Sequence, residues 1–307
     1  MSGHDNNLLI VQFVTLGKSL QFWLNLRQNR EHHFLAQQSN ASLLIAFPFH
    51  QRHRILRAFG VLQSYDHLFL RNGVQFTELI PLKNGLKGFL QGIRTTLPDR
   101  FVDKPMVPKC AGKEWSLAYS MYSGAVFSYH IMQLPILSKF KFMLKLDVDI
   151  VFINKMPDIA DILATKGCAI AHSALKDVNS CERGVIQALK SWSNSRNESL
   201  HLDSEMCSEG RLKRKFYGNF VAFSTEFIRS SILQDLSAYL FHEQSRGYFE
   251  YRWGDQGPFA GYACLLTNTN ITANLSNRVF CDMQYLRGSF FVHSKKKATK
   301  YHDRFPA

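Results

Sequence analysis

The sequence predicts an α/β fold in which a mostly parallel sheet is flanked by helices. Three observations support this prediction: strand patterns alternate with helical patterns, hydrophobic residues make up 46% of the 307 residues, and charged residues make up 20%. A composition of this kind supports an ordinary globular core and argues against extensive disorder. Strands that alternate with helices form parallel sheets covered on both faces.

Apolar runs predict the strands, and helical patterns lie between them. The predicted strands are Leu8–Val14, Ser42–Phe47, His67–Leu70, Val74–Ile80, Phe140–Leu146, Cys168–Ala171 and Tyr217–Phe223. The predicted helices are Ser19–Phe34, Arg52–Phe59, Glu114–Gln133, Pro157–Thr165, Glu182–Trp192 and Thr225–His242. The helix at Glu114–Gln133 has the clearest pattern, because apolar residues recur at steps of three and four. We interpret its apolar stripe as core. No break in composition marks a second domain, so we expect one domain over residues 1–307.

The strongest functional signal is a pair of carboxylates, Asp147 and Asp149, directly after the apolar strand at Phe140–Leu146. In an open α/β sheet, ligands bind beyond the carboxyl ends of the strands. Two carboxylates two residues apart can hold one hard cation through oxygen atoms. Such a cation neutralises a diphosphate and helps a nucleoside diphosphate to leave. We therefore predict a site for Mn²⁺ or Mg²⁺ with Asp147 and Asp149 as ligands; the alternative is a solvated turn.

A second signal is the segment Gly247–Gln256, which contains two carboxylates, an arginine and four aromatic rings. Aromatic faces suit the apolar faces of sugar rings. Carboxylates can bind hydroxyl groups or act as a general base or nucleophile. We predict Glu250 and Asp255 as candidate catalytic residues, without ranking them. Arg252 and Trp253 are candidate substrate-binding residues. The alternative is a loop in which Asp255 caps the following helix.

A third signal lies near the C-terminus, where His293 follows an apolar strand and precedes a run of lysines. His293 could complete the metal shell, although a lone histidine can equally be structural. Ammonium groups bind phosphate oxygens, so we predict that Lys295 and Lys296 contact the phosphates of a nucleotide sugar. The same role is predicted for Thr15, at the end of the first strand, and for Lys145, in the strand before the acidic pair.

The formal net charge of +13 would attract polyanions. No recognised nucleic-acid-binding motif accompanies this charge, so we expect no nucleic-acid partner. No segment approaches the roughly 20 apolar residues needed to cross a bilayer, and no signal peptide is visible. We therefore expect no transmembrane segment in this chain. We expect the Golgi lumen if an anchor is missing from it, and otherwise a soluble cytoplasmic protein, for instance a viral one.

Six cysteines are present, and none forms a CxxC pair, which argues against a zinc site. The even count permits disulfides, and Cys181 and Cys207 could staple one loop. Four Asn-X-Ser/Thr sequons also occur, although a chain this rich in Asn, Ser and Thr can show some by chance. Together these features favour a secretory lumen.

Several of these motifs resemble those of known enzymes. The strand around Asp147 resembles the DxD strand of GT-A-fold glycosyltransferases. Three further motifs are similar, in the same order, to motifs of the fungal glycolipid 2-α-mannosyltransferase family: Tyr122-Ser-Gly124, Phe216-Tyr-Gly-Asn-Phe220 and Tyr248-Phe-Glu-Tyr-Arg-Trp-Gly-Asp255. The similarity covers about residues 115–260. The chain departs from that family at the metal motif, which is of a Glu-Pro type there, and after Asp255.

The resemblance implies a GT-A fold, which is a Rossmann-like nucleotide-diphospho-sugar transferase architecture. It also implies manganese, a GDP-mannose donor and retention at the anomeric carbon. Tyr122, Tyr217 and Asn219 would bind substrate. We expect residues 1–150 to form a nucleotide-sugar-binding half and residues 151–307 an acceptor-binding half.

These observations predict a metal-dependent hexosyl- or pentosyltransferase that moves a sugar from a nucleotide sugar to a glycan or glycoconjugate acceptor. Mannosyl transfer from GDP-mannose is one alternative. Transfer from a UDP-sugar, such as xylosyl or galactosyl transfer, is another. A third alternative is a non-catalytic protein on the same fold that binds nucleotide sugars or carbohydrates.

Overall fold

The structure, a computed structural model, describes residues 8–15, 41–58, 77–81, 87–95, 97, 101, 108–110, 112–148, 150–152, 154–198, 206–208, 211–266, 275–277, 279–287 and 291–293. The chain forms two compact units, which we call the first and second units. The first unit comprises Met1–Arg94, Lys139–Ile162 and Gln284–Ala307. The second unit comprises Thr95–Ser138 and Leu163–Met283.

Strands and helices are distributed along the described residues. The strands are β1 Leu8–Phe13, β2 Ala41–Pro48, β3 Thr77–Pro81, β4 Lys87–Ile93, β5 Lys109–Cys110, β6 Lys113–Glu114, β7 Phe142–Leu146, β8 Ile150–Phe152, β9 Cys168–His172, β10 Leu175–Asp177, β11 Cys207–Ser208, β12 Arg211–Leu212, β13 Arg214–Phe216, β14 Phe220–Ser224, β15 Val279–Asp282 and β16 Phe291–His293. The α-helices are α1 Arg52–Ala58, α2 Leu117–Ser120, α3 Ile159–Thr165, α4 Val185–Ser195, α5 Thr225–Arg229, α6 Ser231–His242, α7 Arg246–Phe249 and α8 Gln256–Leu266. Single 3₁₀ turns cover Phe49–Gln51, Ile131–Gln133, Pro135–Lys139, Ser180–Glu182 and Gln284–Leu286.

The main strands of the first unit form a mostly parallel array in the order β7-β1-β2-β4-β3. β1 pairs in parallel with β7 and with β2, and β2 pairs in parallel with β4. Only β3 in this array runs antiparallel, against β4. β1 and β2 are buried along almost their whole length, which explains why both are mostly apolar. Parallel pairing brings the carboxyl ends of β1 and β7 to one edge.

In the second unit, β9 pairs antiparallel with β14 and parallel with β15. Large aromatic side chains fill the core, and their polar ends find partners. Trp192 donates from Nε1 to Asp235 at 2.7 Å, and the Tyr262 hydroxyl donates to the Ser128 carbonyl at 2.6 Å. Buried rings of this type stabilise a core without leaving an unsatisfied donor.

Most predicted elements that fall within the described residues are confirmed, with shifted ends. The strand predicted from Tyr217 starts later, at Phe220, because residues 217–219 turn and the Asn219 amide donates to the Tyr217 carbonyl at 2.7 Å. The helix predicted at Thr225–His242 is two helices, α5 and α6. Ser230 separates them, since its Oγ accepts from the Leu233 amide and starts α6 as an N-cap.

Two predicted elements, the helix at Ser19–Phe34 and the strand at His67–Leu70, lie outside the described residues. The strand predicted at Val74–Ile80 is confirmed from Thr77 onward, and its first three residues lie outside them. The predicted α/β fold with a mostly parallel sheet and flanking helices is confirmed. Among the described helices, none is long and apolar enough to span a membrane.

The helix predicted at Glu114–Gln133 has wider turns than expected. After the four residues of α2, the segment Met121–His130 is a π-helix, and the Ile131 amide at its end donates to the carbonyl of Val126, five residues earlier. Wider turns change which residues share a face. The predicted apolar stripe, which includes Ala118, is also wrong at its start, because Ala118 lies in α2 ahead of the π-helix and is exposed.

All six cysteines form disulfides, and all three disulfides lie in the second unit: Cys110–Cys181, Cys168–Cys281 and Cys207–Cys264. The paired Cα atoms are 5.0, 5.7 and 6.2 Å apart, which suits disulfide geometry. The predicted pairing of Cys181 with Cys207 is wrong, because each bonds a cysteine that is distant along the chain. The Cys168–Cys281 bond joins the neighbouring strands β9 and β15.

We expect the double variant Cys168→Ala, Cys281→Ala to unfold more easily, by about 2–4 kcal/mol, since a disulfide restricts the unfolded chain. This bond spans 113 residues. The comparison variant Cys207→Ala, Cys264→Ala opens a loop of 57 residues and should lose slightly less. Urea denaturation followed by circular dichroism measures both losses. Unchanged midpoints in both variants would contradict the disulfide assignment.

Candidate functional site

In the first unit, Asp147 follows the buried strand β7 directly. Its side chain is 38% exposed, whereas that of Lys145 is 3% exposed. Lys145 Nζ donates to Asp147 Oδ1 at 2.6 Å. Alternation along an extended chain puts positions 145 and 147 on the same side, so the strand itself sets up this pair. A buried ammonium group depends on such partners, because an uncompensated buried charge is strongly destabilising.

The carboxyl edge of the parallel array also carries Thr15. Parallel pairing aligns Val11 of β1 with Lys145 of β7, and the two strands end at nearly the same level. Thr15 and Asp147 follow these ends, so both lie at the edge where ligands bind in open α/β sheets. This is the location predicted for a diphosphate site.

Strand pairing brings the backbone of His293 to the same region. β16 runs antiparallel to β8, and His293 aligns with Ile150. The Ile150 amide donates to the Asp147 carbonyl at 3.3 Å. His293 therefore lies on the strand that pairs with Ile150, a hydrogen-bond partner of the Asp147 backbone. The side chain of His293 and the residues Asp149, Lys295 and Lys296 lie outside the described part of the structure.

The described residues of this edge fit a hard divalent cation by ligand type. Asp147 offers a partly exposed carboxylate, and Mg²⁺ or Mn²⁺ prefers oxygen ligands. Within the described residues, no group of three or more His, Cys, Asp or Glu side chains could hold a metal ion. The other two predicted ligands, Asp149 and the imidazole of His293, lie outside the described residues. The metal site therefore stays a prediction, and the position of Asp147 is consistent with it.

Three predicted segments of the second unit come together: residues 122–124, 217–219 and 247–255. The Asp255 amide donates to the Ser123 carbonyl at 2.8 Å. The Trp253 amide donates to the Gly247 carbonyl at 2.7 Å. The first of these bonds fixes the end of the Gly247–Asp255 segment against the start of the π-helix, and the second folds the segment back on itself.

Glycines make this close approach possible. A Cβ atom at Gly247 would overlap the Trp253 ring, and one at Gly124 would overlap the Trp253 carbonyl oxygen. A Cβ atom at Gly218 would lie 2.7 Å from Asp255 Oδ1. Only glycine allows such contact between a backbone and a neighbouring group. The segments 122–124 and 217–219 therefore each contact the segment 247–255 through a glycine, Gly124 in the first and Gly218 in the second.

Trp253 is the centre of this packing. Its side chain is 2% exposed, and its Nε1 donates to the Arg183 carbonyl at 2.8 Å. Its ring meets the Tyr248 ring edge-on, with centroids 5.7 Å apart. The indole thus holds the Gly247–Asp255 segment in place, and its predicted contact with substrate stays a prediction.

The two candidate catalytic carboxylates have different surroundings. Arg246 Nε donates to both oxygens of Glu250 at 2.7 Å, and the Glu250 side chain is 13% exposed. Asp255 is 6% exposed and lies against Gly218 at the start of α8. Its carbonyl accepts from the Phe259 amide at 3.0 Å, so Asp255 also begins this helix, as the alternative interpretation expected.

The other predicted substrate residues are partly or fully buried. Tyr122 and Tyr217 are half-buried, and burial raises the pKa of the Tyr122 hydroxyl. Lys176 Nζ lies 3.5 Å from the centroid of the Tyr217 ring. Asn219 is 2% exposed, and neither atom of its amide has a hydrogen-bond partner among the described residues. An unsatisfied buried amide costs about 1–3 kcal/mol, which a hydroxyl-rich ligand could relieve.

Sequence reasoning missed two features of the second unit. Lys215 Nζ and Glu182 Oε1 form an ion pair of 2.7 Å, with the two side chains 7% and 3% exposed. The guanidinium carbon of Arg252 lies 3.9 Å from the centroid of the Trp115 ring. Neither contact has a signal in local sequence, because the partners lie far apart along the chain.

We expect Gly247→Ala to lower the free energy of unfolding by about 1–3 kcal/mol, since the new methyl group overlaps the Trp253 ring. The matched control is Gly254→Ala in the same segment, where the nearest atom would lie 3.7 Å away. Thermal denaturation of the two variants measures the difference. Equal midpoints would show that the Trp253 packing does not limit stability.

Asp147→Ala should destabilise the first unit by about 1–2 kcal/mol, because Lys145 loses a charged partner in a buried position. The double variant Lys145→Met, Asp147→Ala should recover part of the loss. A double-mutant cycle in urea measures the coupling between the two side chains. Additive effects would contradict a stabilising role for this pair.

No protein-family model matches the chain, and no curated protein matches it in sequence. In three dimensions it is similar to solved structures of fungal mannosyltransferases. Against the mannosyltransferase Ktr4p from S. cerevisiae the TM-score is 0.61, with 12% identity over 90% of this chain and 68% of that chain. Against core-mannan synthase A (CmsA/Ktr4) from Aspergillus fumigatus, in its Mn/GDP form, the TM-score is 0.58, with 12% identity over 85% of this chain and 70% of that chain. Ktr4p in complex with GDP also gives 0.58, with 13% identity over 83% and 66%. The predicted similarity to fungal mannosyltransferases is confirmed at the level of the fold, which is GT-A.

Proposed function

We propose that the chain is a metal-dependent glycosyltransferase that moves a sugar from a nucleotide sugar to a glycan or glycoconjugate acceptor. One observation carries the proposal: the carboxylate of Asp147 follows β7 at the carboxyl edge of a parallel array in a GT-A fold. That edge is where nucleotide ligands bind in open α/β sheets.

The donor side of the proposal belongs to the first unit. Asp147, Asp149 and His293 would hold Mn²⁺ or Mg²⁺, which would neutralise the diphosphate and make the nucleoside diphosphate a better leaving group. GDP-mannose is the first donor to test, because the names of the similar structures include mannosyltransferase, GDP and Mn.

Four further residues would contact the phosphates of the donor. They are Thr15, Lys145, Lys295 and Lys296. Lys145 is already oriented by its hydrogen bond to Asp147, so its ammonium group is fixed before a donor arrives. A fixed positive charge at a diphosphate stabilises the charge that develops as the bond to the sugar breaks.

The acceptor side of the proposal belongs to the second unit, which supplies two candidate carboxylates. Arg246 holds Glu250 in one orientation, and Asp255 is buried against Gly218. One of them would accept the proton of the acceptor hydroxyl or attack the anomeric carbon. The anomeric configuration of the product, read from its NMR spectrum, separates inversion from retention.

We expect GDP or GDP-mannose to raise the melting temperature of the protein with Mn²⁺ but not with EDTA, because the metal links the diphosphate to the carboxylates. A ligand at one hundred times its Kd stabilises by about 2.7 kcal/mol. UDP and UDP-sugars, run in parallel, report the UDP-sugar alternative. Release of nucleoside diphosphate from the stabilising donor, with a panel of mannosides as acceptors, measures turnover.

The variant Asp147→Asn should lose the metal-dependent shift in melting temperature. The double variant Lys145→Met, Asp147→Ala should also lose this shift although it recovers part of the stability, so the loss of the shift is not a consequence of instability. The matched control is Asp177→Asn, which removes a carboxylate whose side chain is 90% exposed in the second unit. Equal nucleotide binding in EDTA would overturn the metal-dependent proposal. Metal-dependent binding without any turnover would favour the non-catalytic alternative.

A further inference from the structure

A separate group of side chains in the second unit combines an arginine with two stacked aromatic rings. The guanidinium of Arg252 lies over the Trp115 ring, with 3.9 Å from Cζ to the ring centroid, and 5.2 Å from the centroid of Tyr119. Trp115 and Tyr119 stack on each other with centroids 4.9 Å apart. We call Trp115, Tyr119 and Arg252 the aromatic-arginine platform.

The platform is accessible and carries an uncompensated positive charge. Tyr119 is 45% exposed, and Trp115 and Arg252 are half-buried. Arg252 forms no ion pair with any described residue. Two acidic groups nearby in sequence already have cationic partners, since Glu250 pairs with Arg246 and Glu114 pairs with Lys109 at 3.0 Å.

Hydrogen-bond donors on the platform outnumber acceptors. Among the described residues, neither Arg252 Nε nor Trp115 Nε1 has a hydrogen-bond partner, although both atoms are shielded from water. Arg252 Nη2 donates a long hydrogen bond to the Tyr119 hydroxyl, at 3.4 Å. Shielded donors without acceptors are unfavourable, so the platform holds a cation and N–H groups that the described protein does not satisfy.

The backbone of Arg252 adds an independent observation. Its φ is +59°, a left-handed conformation that favours glycine and costs energy for a side chain such as arginine. Strained residues of this kind concentrate at ligand sites. The left-handed backbone directs the side chain of Arg252 to the two rings, while Trp253, the next residue, points into the core.

We propose that the aromatic-arginine platform binds an acidic sugar of the acceptor, with its carboxylate or phosphate on Arg252 and its ring on the exposed face of Tyr119. This inference rests on the proposed function, which assigns the donor diphosphate to the first unit and leaves the platform to the acceptor. An arginine fork matches the oxygens of carboxylate and phosphate groups. The apolar face of a sugar suits an aromatic ring.

Binding of sugars to the whole protein, measured by NMR in EDTA and without nucleotide, tests the platform directly. The probes are glucuronic acid against glucose and mannose 6-phosphate against mannose, with inorganic phosphate as a further comparison. We expect one acidic sugar to bind about tenfold or more tightly than its neutral partner, as a charged hydrogen bond allows. The two pairs show whether the carboxylate or the phosphate is preferred.

The variant Arg252→Gly removes the guanidinium and suits the left-handed backbone, so it should fold at least as stably as the parent protein. It should abolish the preference for the acidic sugar. Arg252→Lys keeps the charge but loses the planar fork, and should lose most of the preference. The matched control, Arg214→Gln, removes an arginine that is 42% exposed and paired with Asp177, and should leave it unchanged.

Equal binding of acidic and neutral sugars would overturn the proposal. Inorganic phosphate that binds as tightly as mannose 6-phosphate would also overturn it, since the ring of Tyr119 would then contribute nothing. If Arg252→Gly instead weakens binding of GDP with Mn²⁺, the platform belongs to the donor and the proposal fails. Because the sugar titrations need neither nucleotide nor metal, their result is separate from the failure or success of the glycosyltransferase assignment.

Discussion

The contact between Trp253 and Gly247 is the constraint on which the candidate site of the second unit depends. The indole ring occupies the volume that a side chain at position 247 would need. With Trp253 fixed there, the chain that follows is pressed against Gly124 and Gly218. Asp255 thereby reaches the Ser123 carbonyl and begins α8. One buried ring thus determines where both a carboxylate and a helix start.

A disulfide supports this arrangement from two sides. The Cys110–Cys181 bond joins β5 to the turn that precedes α4. Next to Cys110, the Lys109 amide donates to the Glu250 carbonyl at 3.2 Å. On the other side, the Arg183 carbonyl accepts from Trp253 Nε1. The disulfide therefore links the two segments that hold the ends of the Glu250–Trp253 stretch, one through Lys109 and the other through Arg183. The backbone of Glu250 is thereby tied to the core around Trp253.

Strands were predicted correctly where both of their faces are buried, because such strands consist mainly of apolar residues. β1, β2 and β7 are buried and mostly apolar, and their carboxyl ends predicted the edge at which Asp147 lies. The turns of Met121–His130 escaped prediction, because a π-helix is rare and apolar residues spaced three and four apart predict an α-helix. The disulfides escaped it too, since six cysteines allow 15 pairings. The roles of Gly124 and Gly218 escaped prediction as well, because each glycine makes room for a residue that is distant along the chain, Trp253 or Asp255.

Arg252 shows how packing and recognition are linked in one turn. Trp253 must point into the core, so the residue before it takes a left-handed backbone, at φ +59°. Glycine would satisfy that conformation without strain. A long cationic side chain satisfies it at a cost, and no described carboxylate compensates by pairing with it. Cation–π attraction to the rings of Trp115 and Tyr119 offsets part of this strain, by about 0.5–1 kcal/mol at an exposed site. Because this gain is no larger than the strain that left-handed backbone imposes, stability alone does not account for an arginine at this position, whereas the proposed binding of an anionic ligand would.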